Sequence, residues 1–86
     1  MHRDAHMPVI LRVGPYAFLF FGNENNEPAH VHVERDDDAA KFWLEPVRLA
    51  ANYGFRNHEL NVILKLVIEH QDFLRERWYG YFSGRS

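Results

Sequence analysis

The chain has 86 residues and no cysteine, with 10 Lys and Arg against 12 Asp and Glu for a formal charge of −2. That composition excludes a disulfide framework and any thiolate zinc site, and it supplies no general attraction for nucleic acid or an anionic membrane. No apolar run approaches the roughly 18 residues of a membrane span, so the expectation is one cytoplasmic domain over 7–86, with 1–6 a frayed leader.

The elements follow in order. "PVILRV" (8–13) is rich in β-branched residues and stops at Gly14-Pro15, a turn signal. "YAFLFFG" (16–22) is apolar at nearly every position, which predicts a central strand covered on both faces. "NENNEP" (23–28) is a polar loop, "AHVHVE" (29–34) alternates cleanly, and "AAKFWL" (39–44) follows "RDDD". Pairing the last two strands antiparallel across that four-residue loop sets Val31 opposite Phe42, His32 opposite Lys41 and His30 opposite Trp43. It gathers His30, His32, Glu34, Lys41 and Trp43 on one face. A slip of one residue would bury the histidines against Phe42.

After Pro46, "VRLAANYGF" fits two structures. Pro46 in a first turn and Gly54 beyond the end suggest a short helix, while Val47, Leu49 and Ala51 alternate as an edge strand does. From residue 57 the period is helical: Leu60, Leu64, Val67, Gln71, Leu74, Trp78 and Tyr81, widened by Ile63, Ile68 and Phe82. Asn57 is the expected N-cap and Gly84 the stop, with the helix either unbroken to about 82 or bent near "HQD". The fold class is α+β, a small antiparallel sheet of three to four strands packed against a long C-terminal helix.

His30 and His32 leave a strand on the same side, about 6–7 Å apart at the backbone. Three readings stand: two hydrogen-bonded polar side chains on a wet face, a proton-transfer pair beside a cation, or a metal chelate. Proton transfer by His30 and His32 with phosphate charge held by Lys41 supplies the parts for metal-independent RNA cleavage, and Trp43 or Tyr16 can stack a base. A metal needs a third ligand, for which Glu34, His58 and His70 are available. Because Lys41 shares the face and no thiolate exists, no tight zinc site and no cofactor are expected. If the face is wet, single alanine variants at His30, His32 and Lys41 shift stability by less than about 1 kcal/mol.

"LAANYGFRNHEL" has the pattern of a helix-turn-helix, with Leu49 and Ala50 in a first helix, Gly54 at the turn and Phe55 and Leu60 in the second. Over 49–65 it would present Arg56, Asn57, His58, Asn61 and Lys65 to DNA. A plain helix start with Phe55 stapled onto Leu60 explains the same residues. The aromatic end "FLRERWYGYF" suggests an incompletely covered surface at Trp78, Tyr81 and Phe82, expected to bind a second copy or a small protein partner. Asp36-Asp37-Asp38 reads as a solvated hairpin turn without calcium-loop spacing.

"MPVILRVGPYAFLFFGNENNEPAHVHVE", "AKFWLEPVRLAANYGF" and "RWYGYF" together resemble the small bacterial proteins of domain of unknown function 4160, from about Met7 to Phe82. The resemblance implies a short, singly encoded protein, often beside another small protein, in a toxin–antitoxin-like setting. It implies no reaction. His30, His32, Lys41 and Trp43 match the family's pattern. Where the family often has Ser, this chain has Arg56, which removes a capping box with Glu59 and is expected to shift the cap to Asn57. The resulting expectation is a component of such a pair acting by partner contact, with RNA contact or cleavage at the His30/His32/Lys41 face. A DNA-binding regulator, a metal-binding protein and a purely structural partner module are the alternatives.

Overall fold

The computed structural model describes residues 9–22, 24 and 26–83. The leader over 1–6, the start at Met7 and the stop at Gly84 lie outside them. Five strands, β1 (Val9–Val13), β2 (Tyr16–Leu19), β3 (His30–Arg35), β4 (Asp38–Leu44) and β5 (Val47–Tyr53), precede two helices, α1 (Asn57–Glu69) and α2 (Gln71–Ser83). The sheet is antiparallel throughout, with the strands side by side in chain order. The α+β class stands, but the described residues form five strands rather than three or four and two helices rather than one.

The β3–β4 register is the one expected, with Val31 opposite Phe42, His32 opposite Lys41 and His30 opposite Trp43. The ladder continues one pair further, to Arg35 and Asp38, so the turn is Asp36-Asp37 alone. Asp36 takes a left-handed φ of 56°, which a short polar side chain tolerates. β2 buries both Phe18 and its neighbour Leu19, which point to opposite faces, and so is covered on both sides as predicted. It lies second in the sheet, and β3 is the central strand.

Residues 47–53 are strand, not helix. Val47 and Leu49 oppose Leu44 and Phe42, extending the apolar face of β4. A seven-residue helix makes few internal hydrogen bonds, whereas pairing with β4 satisfies the inward-facing backbone groups of the strand and completes that edge of β4. Leu49 and Ala50 therefore belong to a strand, and the helix-turn-helix over 49–65 does not form.

The helical stripe breaks at His70, whose φ of −104° and ψ of 16° leave the helix. Its Nδ1–H donates to the Leu66 carbonyl at 2.9 Å, and Gln71 Nε2 donates to the Leu44 carbonyl at 2.7 Å, tying the start of α2 to the end of β4. The break lets Ile63 and Val67 of α1 and Leu74 and Trp78 of α2 all enter one core with Phe18, Phe20, Val31, Val33, Phe42 and Leu44. Ile68, expected to widen the stripe, points outward and is 54% exposed. At the start of α1 the N-cap is Arg56, with no side-chain cap, and not Asn57. Glu59 is employed elsewhere, accepting Arg35 Nε and Nη2 at 2.7 and 2.8 Å and Tyr16 Oη at 2.7 Å, which ties α1 to β2 and β3.

Candidate functional site

Alternation puts His30 and His32 on the side of the sheet opposite Val31 and Val33. That side is not wet. Glu24, from between β2 and β3, reaches both rings: its Oε1 lies 2.6 Å from His30 Nε2 and 2.7 Å from His32 Nε2. His30 Nδ1–H donates to the Pro28 carbonyl at 2.9 Å. The His30 ring packs against Trp78, with centroids 4.8 Å apart, and edge-on to Trp43 at 5.7 Å. His32 stacks on Phe21 at 3.8 Å and 8°. The His30 side chain is 0% exposed, that of His32 13% and that of Glu24 21%.

Two expectations change as a result. His30 is a buried, fully engaged residue, so near-neutral alanine substitution no longer follows for it. The third member of the cluster is Glu24, a loop residue, and not Glu34, His58 or His70. Loop folding of this kind has no periodic signature, although the polar "NENNEP" lies only a few residues before the histidines. Lys41 stands beside His32 as predicted, but its Nζ is held by Glu27 Oε1 at 2.6 Å and lies 4.7 Å from the Trp43 ring centroid.

The electrostatics of the cluster lower the pKa of both His32 and Glu24. Burial pushes His32 below the usual histidine range; the Glu24 hydrogen bond and charge oppose this, and the charges of His30 and Lys41 reinforce it. Burial by itself raises the Glu24 carboxyl, but hydrogen bonds from His30 and His32 outweigh it and hold the group below the usual range.

The residues expected to contact nucleic acid are not brought together. Trp43 lies on the histidine side under Lys41, while Arg56 and Lys65 are exposed on and before α1, whose buried residues pack on the opposite side. The expected partner surface is also reduced. Trp78 is 4% exposed and part of the core, while Tyr81 and Phe82 are half-buried around Phe20.

A cleft that sequence patterning did not indicate opens between β5 and α1. It has a volume of about 540 Å³ and is lined by Phe42, Val47, Arg48, Leu49, Leu60 and Leu64 with the amides of Asn57 and Asn61. β5 ends the sheet, so its outer edge has no strand neighbour among the described residues. Leu49 is 45% exposed there, and Arg48 has no ion pair among the described residues. The cleft depends on residues 47–53 being a strand, which their own pattern left open.

The family model described as Domain of unknown function (DUF4160) matches residues 16–79. The chain belongs to the DUF4160 family. The matched span runs from β2 into α2, so the DUF4160 region holds Glu24, His30, His32 and Lys41 together with every residue lining the cleft. No curated protein and no solved structure matches the chain. No helix among the described residues is long and apolar enough to cross a membrane.

Proposed function

We propose that this protein is a cytosolic partner-binding module, one component of a toxin–antitoxin-like pair, and that it takes an extended segment of its partner along β5. The observation that carries this reading is the open edge of β5 running beside the apolar cleft. An added strand gains main-chain hydrogen bonds along that edge and directs alternate side chains into the cleft. The register of β5 shifts at Ala50 and divides the strand into regular stretches at Val47–Leu49 and Ala51–Tyr53, of which the first lines the cleft. Val47 and Leu49 turn their side chains to the face that carries the cleft, which favours a segment with apolar side chains.

RNA cleavage asks for imidazoles and a lysine open to a phosphate. His30 is buried and Lys41 is held by Glu27, so the geometry supports partner contact better.

The test is co-purification with the product of the adjacent gene, followed by titration of variants. Leu49→Asp and Asn61→Trp are expected to weaken the complex at least tenfold, about 1.4 kcal/mol, and binding should slow amide exchange in Val47–Leu49. Unchanged affinity in both variants, with unprotected β5 amides, would rule the reading out. Sedimentation of the protein alone distinguishes a second copy on the same edge from a different partner.

A further inference from the structure

We propose that Glu24, His30 and His32 form a binding site for a divalent transition metal ion of the zinc class. The donor set is two imidazoles and one carboxylate, whose ligand atoms all lie within 4.8 Å of one another. Borderline divalent ions take this combination, and three protein ligands leave a fourth position for water or an anion. That position falls on the solvent side, where Glu24 and His32 reach the surface while His30 does not.

The tautomer of His30 points the same way. A backbone carbonyl only accepts hydrogen bonds, so the Pro28 carbonyl at 2.9 Å places the proton of a neutral ring on Nδ1. Nε2 then carries a lone pair aimed at Glu24 Oε1, 2.6 Å away, and an ionised carboxylate oxygen also only accepts. Two acceptors at that separation need a positive centre between them. A proton on either atom fills the gap for one histidine at a time. One dication meets both histidine nitrogens and the carboxylate at once. The Pro28 carbonyl is then the outer partner that metal-bound imidazoles usually have on their second nitrogen.

The spacing is within reach. Metal–ligand bonds of about 2.0–2.1 Å in a tetrahedron separate ligand atoms by about 3.3 Å. The two contacts to Glu24, at 2.6 and 2.7 Å, need to open by less than an ångström. Glu24 can supply that movement because it lies outside the strands, and the two histidine nitrogens, within 4.8 Å of one another, close on a shared ion by a turn of the less buried His32 ring. Lys41, the obstacle foreseen from sequence, has its charge engaged by Glu27.

The experiment is equilibrium dialysis of the untagged full-length protein against zinc, with cobalt absorbance as a second readout. One equivalent of zinc is expected, together with visible bands of a four-coordinate cobalt site. Glu24→Gln and His32→Gln should each weaken binding at least tenfold while leaving the circular dichroism spectrum unchanged. A His2→Ala, His6→Ala double variant should bind like wild type. The proposal is overturned by well under one equivalent in wild type, by full binding in both cluster variants, or by loss confined to the His2/His6 variant. His30→Ala is left out of the decision because its burial makes misfolding an alternative cause of lost binding.

Discussion

Glu24 and His30 meet at 2.6 Å although one lies in the loop after β2 and the other opens β3. Through this contact Glu24 closes over a sheet face that alternation alone marks as polar, turning an exposed histidine into a buried one. His30→Ala therefore leaves the Pro28 carbonyl and the Glu24 carboxylate short of a partner and opens a space against Trp78. Urea denaturation in the presence of chelator should show a loss of about 3 kcal/mol. His32→Val, at a partly exposed strand position, should cost about 1 kcal/mol. Equal, small losses for the two would mean that the loop contact contributes little.

Acid should weaken the metal-free fold in two stages. The folded state holds His32 below its ordinary value, so below about pH 6.5 the unfolded chain binds a proton that the fold resists. Stability is then lost as pH falls through the His32 range. Glu24, also held low, contributes stability above its ordinary value of about 4.3, lost as pH falls further. Both signs agree. His32→Gln should flatten the urea midpoint between pH 7 and 5 and leave the decline below pH 4.5; an unchanged slope in that variant would refute the assignment.

Two glycines should respond oppositely to alanine. Gly54 joins β5 to α1 with φ of 115°, and a Cβ there would collide with the Asp38 carboxylate. Gly54→Ala is expected to cost about 1–3 kcal/mol. Gly80 lies in α2 with open space around it, so Gly80→Ala should add about 0.5–1 kcal/mol. Thermal melts of the two variants check the pair, and a destabilised Gly80→Ala would contradict the exposed placement of that helix face.

Trp78 tests core against interface. Its ring fills the space between Phe20 and His30, at centroid distances of 5.3 and 4.8 Å. Trp78→Ala should cost about 3–5 kcal/mol, a large share of the stability of a domain this small. Trp78→Phe should keep the fold and leave any complex at β5 unchanged. A folded Trp78→Phe variant that loses its partner would return the interface to α2.

Much of the fold was legible in the chain because period and pairing are local. Alternation in 29–34 and 39–44 set the shared face, since any odd slip exchanges the faces, and the short loop between them set Val31 against Phe42 over a two-residue slip. The helical period marked Ile63, Val67, Leu74 and Trp78 in the same way. Residues 47–53 were different: their pattern suits helix or strand, and the decision came from β4, whose open edge and apolar face they complete. Burial of Trp78 and exposure of Leu49 were likewise set by how α1 and α2 divide the sheet after the break at His70. The histidine pair shows the division most sharply. Its spacing placed two imidazoles side by side, but only the tertiary path of the loop gave them Glu24, because a side chain in an aperiodic segment acquires its partner from the fold around it.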